Sequence, residues 1–381
     1  MKIAIINLGV DTNYGGSLQR YALCKCLTDL GHQPIFIPTH FYVKVPHGVK
    51  AILLYIKRII LKYILRRDNT LTVLFEKKCK IDEDINMPVF YEFFRRNVPY
   101  YNRIFESLDC LKELNNDNFD AFLVGSDQVW RASTNTHYYF LDFVRKGKKI
   151  AYAASFGNAA EDYTQEMINR IRLLVSKFDA VSVREKKAID IFRRFNWTLS
   201  YTPECVLDPT LLLDKDDYLK ILNQSSLKKN NDRNLFYYIL DFDSQKKSFV
   251  ERFSYNKGLS YHGLNSLHPY LEFSDTNPLP SVEQWISYIR DAEYVITDSF
   301  HGTMFSIIFN KPFITLLNSK RGSERYNPIM NQLGLEDRLV ADNQLDQLSD
   351  VDFPAINWEF VNDRLSQLRE KSFMWLKQNI V

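Results

Sequence analysis

The chain has few cysteines, and they do not pair into any recognisable set. Cys24, Cys26, Cys79, Cys110 and Cys205 are the only five in 381 residues, with no CxxC pair and no zinc-like spacing. Cys24 and Cys26 fall inside an apolar helical pattern, so buried thiols in a reducing cytosol are the favoured reading. No run of about 18 apolar residues occurs, so no membrane-spanning helix is expected. Residues Met1–Ile6 enter a strand-like segment directly, without a signal-peptide core or cleavage site, and a cytoplasmic protein is expected. Net charge is only +3, too small to argue for nucleic acid, although it suits a small anionic ligand or an anionic surface. There is no GxGxxG, Walker, HExxH or GxSxG motif and no metal-ligand constellation, so neither cofactor nor metal is expected. Internal repeats and low-complexity tracts are absent too.

What is present is a soluble, globular composition, 45% hydrophobic and 25% charged, over a length that suits two domains. Lys2–Leu8 is an apolar run of the kind found in parallel strands, Leu18–Leu30 has helical periodicity ending at Gly31, and Gln33–Pro38 is the next strand. Further strands are expected at Ala121–Gly125, Lys149–Ala154 and Ala180–Val183, with helices at Thr164–Lys177 and Glu185–Phe195. Two prolines in Tyr201–Leu213 mark a crossover. The alternation then restarts through Leu235–Leu240, Glu293–Thr297 and Phe313–Leu317, and a long helix, Trp358–Gln378, closes the chain. Two blocks of alternating βα units predict an α/β protein with two Rossmann-like, doubly wound domains facing a cleft. The expected division is residues 1–204, with the basic segment near 51–67 as an insertion, and residues 205–381.

Chemistry-bearing residues gather at strand ends. Thr297-Asp298-Ser299-Phe300-His301-Gly302-Thr303 follows an apolar strand and opens a helix, where free N–H groups and the helix dipole favour phosphate or carboxylate. His301 adds a group able to move a proton near neutral pH, with Ser299, Gly302 and Thr303 around it; a capping serine beside a satisfied histidine is the plainer reading. Asn318–Arg325 follows the next strand and carries Lys320, Arg321 and Arg325, either an anion clamp or a solvated loop. Asp11-Thr12-Asn13-Tyr14-Gly15-Gly16 is a polar loop after the first strand, suited to a polar substrate or simply a βα turn. Gly125-Ser126-Asp127-Gln128-Val129-Trp130 mixes hydroxyl, carboxylate, amide and aromatic groups, as sugar sites do; Asp127 is a candidate base, and an Asx turn beside a buried Trp130 is the alternative. Arg184, after another strand, either binds an anion or pairs with Glu185.

Ala51–Arg67 breaks the pattern. Lys57, Arg58, Lys62, Arg66 and Arg67 are interleaved with apolar residues, so the segment either lies on an anionic membrane surface or packs on its own domain.

Taken together, NYGGSLQRYAL (Asn13–Leu23), FLVGSDQVW (Phe122–Trp130), YAASFG (Tyr152–Gly157), VSVRE (Val181–Glu185), VLDPTLLL (Val206–Leu213) and TDSFHGTMFSIIFNKPFI (Thr297–Ile314) resemble the polysaccharide pyruvyl transferase family. Each piece is weak alone, but the ordered set spans nearly the whole chain. The resemblance implies a fold similar to B-type glycosyltransferases. It also implies transfer of a pyruvyl group from phosphoenolpyruvate to a hydroxyl pair of a capsule or exopolysaccharide sugar, or of its lipid-linked precursor. It places the family histidine on His301, a family lysine on Lys320 and an arginine on Arg184. Many members have Arg-Leu-His where this chain has Ser299-Phe300-His301, so Arg321 or Arg325 is expected to supply the missing donor cation. In this reading His301 is proton donor or phosphate partner, Lys320 and Arg321 hold the donor, and Asp127 or Asp11 is the base on the acceptor side. Asn13, Tyr14, Gly15, Gly16, Ser126 and Trp130 are expected to line the acceptor. A nucleotide-sugar glycosyltransferase of similar fold, using the same anion site for a diphosphate, is the alternative.

Overall fold

Short apolar strands alternate with capped helices, and each such pair adds one parallel strand to a sheet. The computed structural model describes residues 1–41, 44–65, 72–157, 159–225, 227, 229, 232–265, 278–317, 326–348 and 353–380. In the first half the strands are β1 (Lys2–Ile6), β2 (Gln33–Phe36), β3 (Ala121–Val124), β4 (Lys148–Ala154), β5 (Ala180–Val183) and β6 (Glu204–Cys205). They form one sheet in the order β2-β1-β3-β4-β5-β6. The second sheet holds β7 (Asn234–Ile239), β8 (Ser260–Asn265), β9 (Tyr294–Thr297), β10 (Phe313–Leu317) and β11 (Leu339–Ala341) in the order β11-β10-β9-β7-β8. Every strand pair is parallel. Parallel strands covered on both faces cannot alternate, which is why β3 and β5 are buried throughout.

The helices are α1 (Tyr14–Asp29), α2 (Gly48–Ile59), α3 (Phe75–Asn97), α4 (Gln165–Val175), α5 (Lys186–Arg194), α6 (Pro209–Leu212), α7 (Lys215–Gln224), α8 (Ser244–Lys257), α9 (Val282–Asp291), α10 (Phe300–Ile308), α11 (Asn327–Leu333) and α12 (Trp358–Asn379). Several differ from expectation, among them the short α6, α7 and α11, which match no expected helix. The first helix begins four residues before Leu18, because the Asn13 side chain accepts the Gly16 N–H at 3.1 Å and caps it. Tyr14, Gly15 and Gly16 are therefore helical and not loop. The 23-residue α3 has no counterpart in the sequence pattern, since Pro88 interrupts its interior.

The order of each sheet reverses once, between β1 and β3 in the first and between β7 and β9 in the second. Ligands of open α/β sheets collect beyond the carboxyl ends of strands at such points. The loops there are Asn7–Asn13 and Gly125–Gln128 on one side, Leu240–Asp243 and Asp298–Ser299 on the other.

The division at residue 204 does not follow the packing. That boundary falls inside β6, which pairs with β5. The closing helix α12 returns to the first half. Trp375 packs on Tyr152 with ring centroids 5.8 Å apart, and Arg369 donates to the Leu211 and Leu213 carbonyls at 2.6 and 2.8 Å. One buried apolar cluster runs through both halves, joining Tyr14, Leu23 and Tyr152 to Trp285, Val295 and Phe305.

Candidate functional site

His301 sits in the first turn of α10, whose N-cap Ser299 accepts the Gly302 N–H. Its imidazole crosses the cleft and lies on the first turn of α1. A Cβ on Gly15 would stand 2.0 Å from Nδ1, 2.2 Å from Cγ and 2.7 Å from Cβ of His301. Only glycine leaves room for this approach. The two sheets thus deliver α1 and α10, each starting at a reversal point, onto one imidazole.

The other edge of the ring faces Asp208. His301 Nε2 is 3.8 Å from Asp208 Oδ1. Asp208 caps the one-turn α6, accepting from the Thr210 N–H at 3.0 Å and the Thr210 hydroxyl at 2.8 Å. Its Oδ2 accepts from Gln19 at 2.7 Å, Arg184 at 3.1 Å and Ser126 at 3.4 Å. Burial pushes this carboxyl up, but the charges of His301 and Arg184 and the Thr210 hydrogen bonds outweigh it and hold it below the usual carboxylate range. The edge of the His301 ring therefore faces a carboxylate held below its usual range.

Arg184 links this anion to the rest of the cluster. Besides Asp208, its guanidinium lies 3.9 Å from Asp127 and 3.8 Å from Glu185, with its carbon 4.8 Å from the centre of the Phe300 ring. Phe300 therefore supplies an aromatic face to a cation coming from the other half. The Asp127 carboxylate accepts its own loop's Gln128 N–H at 2.8 Å. Asp11 is 55% exposed and lies 3.9 Å from Arg20, whose buried guanidinium donates to the Leu8 and Gly9 carbonyls. Phe36 and Phe94 flank that guanidinium, their ring centres 5.4 and 5.6 Å away. Beside Phe300 a cavity of about 190 Å³ is lined by Arg184, Asp208, Lys186, Lys371 and Gln332.

Several expected contacts are turned inward instead. Tyr14 is buried, stacks on Trp285 at 5.5 Å and donates its hydroxyl to the Pro280 carbonyl, so it welds the halves together and offers nothing to an acceptor. Trp130 is buried against Phe140, with its indole N–H on the Tyr139 carbonyl. Ser126 is fully buried, its hydroxyl on the Ala153 carbonyl and Asp208. On the donor side, Thr303 is spent on the Ser299 carbonyl and Thr315. Gly302 is packed so that a Cβ would meet Thr297 at 2.4 Å, and the Ser299 hydroxyl is used as a cap. Asn13 caps α1, and Gly16 passes close to Arg20. Asp298 is a strut: its carboxylate accepts the Leu240 and Asp241 N–H groups at 2.6 and 3.0 Å, joining the two reversal-point loops of the second sheet. Lys320, Arg321 and Arg325 lie outside the described residues.

Asp208, Arg20 and Gln19 are absent from the expectations. Asp208 carried a signal, the Asp-Pro step of a helix start, but the two prolines of that segment read more simply as a crossover. Arg20 and Gln19 sit inside a helix, where periodicity alone does not single them out. Among the described residues no group of three or more His, Cys, Asp or Glu side chains could hold a metal ion, and no helix is long and apolar enough to cross a membrane.

The family model described as polysaccharide pyruvyl transferase matches residues 13–320, a span that includes Gly15, Asp127, Arg184, Asp208 and His301 but not Asp11, Gln332 or Lys371. No curated protein matches. Among solved structures, the UDP-GlcNAc 2-epimerase of Methanocaldococcus jannaschii in complex with UDP-GlcNAc and UDP is 14% identical, with a TM-score of 0.49 over 97% of this chain and 99% of that one. The UDP-N-acetylglucosamine 2-epimerase of Rickettsia bellii is 12% identical, at 0.46 over 99% and 98%. Spinosyn rhamnosyltransferase SpnG is 11% identical, at 0.41 over 98% and 96%. These are likenesses of architecture and carry nothing about substrate.

Proposed function

Because the chain belongs to the polysaccharide pyruvyl transferase family and is a transferase, we propose that it moves the pyruvyl group of phosphoenolpyruvate onto two hydroxyls of a glycan sugar as a cyclic ketal. The observation that carries this reading is the meeting of His301 with the Asp208–Arg184 pair at Gly15, on the reversal points of both sheets.

The reaction adds a proton to the methylene carbon of phosphoenolpyruvate, which makes the neighbouring carbon electrophilic. One sugar hydroxyl attacks that carbon, giving up its proton. The bond to the phosphate oxygen breaks and inorganic phosphate leaves. A second hydroxyl of the same sugar then closes the ketal and releases its own proton. His301, whose Nε2 faces Asp208 at 3.8 Å, is the proton donor to the methylene carbon or the partner of the departing phosphate. Arg184 holds Asp208 in place, and its charge lies over Phe300. The cavity of about 190 Å³ lined by Arg184, Lys186 and Lys371 has the size and charge for a three-carbon phosphate; the cations Lys320, Arg321 and Arg325 belong to the same proposal. On the acceptor side Asp11 is the better-exposed base, and Asp127 stays committed to its loop and to Arg184. Cys24 and Cys26 are buried thiols, in keeping with a reducing, cytoplasmic setting for this chemistry.

Two measurements test the reading. His301→Ala should abolish phosphate release from phosphoenolpyruvate in the presence of a competent glycan acceptor; near-parental release would remove His301 from the reaction. Phosphoenolpyruvate should raise the melting temperature of the parent protein. Stabilisation by a nucleotide sugar alone would replace this reading with a glycosyltransferase.

A further inference from the structure

The segment Gly48–Ile64 is helical throughout, α2 continuing into a π-helical turn at Ile60–Ile64. One side of it is held by the protein. Ala51 is buried, and Arg58 makes a bidentate pair with Glu76 of α3 at 2.7 Å for each bond, with a further bond to the Val73 carbonyl. Lys77 of α3 lies 5.9 Å from the centre of the Tyr55 ring. The opposite side is apolar and faces outward. Val49, Ile52, Leu53, Ile56, Ile59, Ile60, Tyr63 and Ile64 recur at helical spacing, and each is between 38% and 71% exposed. Exposed apolar residues scattered singly need no explanation, but a continuous stripe of eight does. Packing on its own domain, the plainer of the two expectations for this segment, therefore fails for the apolar face and holds only for the Arg58 side.

Charge decides what covers the stripe. From Phe41 to Arg67 the sequence carries Lys44, Lys50, Lys57, Arg58, Lys62, Arg66 and Arg67, and no Asp or Glu. Lys50 and Lys57 are exposed and flank the stripe on the helix surface. Two copies of such a segment would repel one another. A helix with an apolar face and an all-cationic flank instead matches an anionic bilayer interface, where the apolar face enters the acyl boundary and the cations meet headgroups. We infer that α2 and the turn after it dock this protein on an anionic membrane surface.

The place of α2 in the fold says what this is for. A cavity of about 410 Å³ opens at its root, lined by Asp11, Thr12, His40, Phe41, Asp82 and Glu83 among others. Phe41 lies seven residues before α2, and Asp82 and Glu83 are on α3. The cavity reaches the cleft through Asp11, which follows β1 and precedes Gly15. A glycan whose carrier is embedded in the membrane can enter here with its reducing end toward the lipid. The docking stands apart from the transferase reading; only the identification of the acceptor as lipid-linked glycan rests on it.

The test uses the whole protein with vesicles of phosphatidylcholine alone and of phosphatidylcholine mixed with phosphatidylglycerol, by cosedimentation at low and physiological salt. The mixed vesicles should bind about tenfold or more better than the neutral ones, and added salt should weaken binding. Ile52→Glu/Ile56→Glu should reduce binding to background. Lys50→Glu/Lys57→Glu should erase the preference for the anionic lipid. Both variants should keep the parental melting temperature and the parental phosphate release with a soluble acceptor. Absence of binding to anionic vesicles at low salt, or unchanged binding by Ile52→Glu/Ile56→Glu, overturns the proposal. So does light scattering that shows a dimer which this variant dissociates, because the face is then an interface between copies. If vesicles bind as expected but no acceptor releases phosphate, the pyruvyl reading fails and the docking stands.

Discussion

Gly15→Ala separates a local account of this helix from the tertiary one. Seen from α1 alone the change is favourable, since alanine in a helix is worth about 0.5–1 kcal/mol over glycine. The structure reverses the sign. The new methyl would stand 2.0 Å from His301 Nδ1, roughly 1.4 Å inside the 3.4 Å at which ordinary contact begins. The imidazole is held in a cluster that includes Asp208, and the backbone of α1 is fixed by Tyr14 packed on Trp285, so neither side yields freely. Overpacking of this kind costs about 1–3 kcal/mol. If His301 moves instead, a displacement of about 1 Å at the reacting group costs on the order of 10²-fold in rate. The variant should therefore melt below the parent and release phosphate from phosphoenolpyruvate about a hundredfold more slowly, measured by calorimetry and a coupled phosphate assay. In a His301→Ala background the contacts at 2.0 and 2.2 Å are gone and the one at 2.7 Å with Cβ stays, so Gly15→Ala should cost less there. A Gly15→Ala protein as stable as the parent and equally active would refute the closeness of α1 to His301 on which the site depends.

Asp208 gives a pH-dependent prediction. Its folded carboxyl is held below the ordinary value of about 3.9, so its contribution is complete above that pH and is lost as pH falls through the lower folded value. Asp208→Asn strips Arg184 of its nearest anion and should lower stability at neutral pH by about 3–5 kcal/mol. The gap to the parent should narrow below pH of about 4, as read by thermal unfolding across pH; a gap that does not change with pH would contradict the assignment. Phe300→Arg adds a cation to the turn that carries His301, yet it should lower the melting temperature and leave the KM for phosphoenolpyruvate no better. The new cation would lie against the Arg184 guanidinium, now 4.8 Å from the ring centre. A gain in donor affinity without loss of stability would show that Arg184 can give way.

Much of the architecture was legible because it rests on local signals. The apolar runs at Ala121–Val124 and Phe313–Leu317 read as parallel strands, Ser299 is a cap residue in a cap position, and the alternation of strand and helix implies two open sheets. Misreadings fall where a long-range contact overrules a local pattern. Tyr14 and Trp130 have the composition of sugar-binding loops, but each ring is claimed by an aromatic partner, Trp285 or Phe140, that no local spacing reveals. In α3, Pro88 hides a helix that packing sustains. The amphipathic segment near Ala51 was read correctly as two-faced, but which face is covered depends on Glu76 and Ala51, beyond the reach of periodicity.

By itself the sequence determined the strand–helix alternation, the turn that carries His301 and the family motifs, because these depend on residues adjacent in the chain. Only the tertiary structure decided that His301 lies on Gly15 and faces Asp208, that Arg184 rests on Phe300, and that the apolar stripe of α2 is left uncovered. Those contacts join residues from about 90 to nearly 290 positions apart, brought together when two sheets bury one apolar cluster between them, and that is a property of packing and not of spacing.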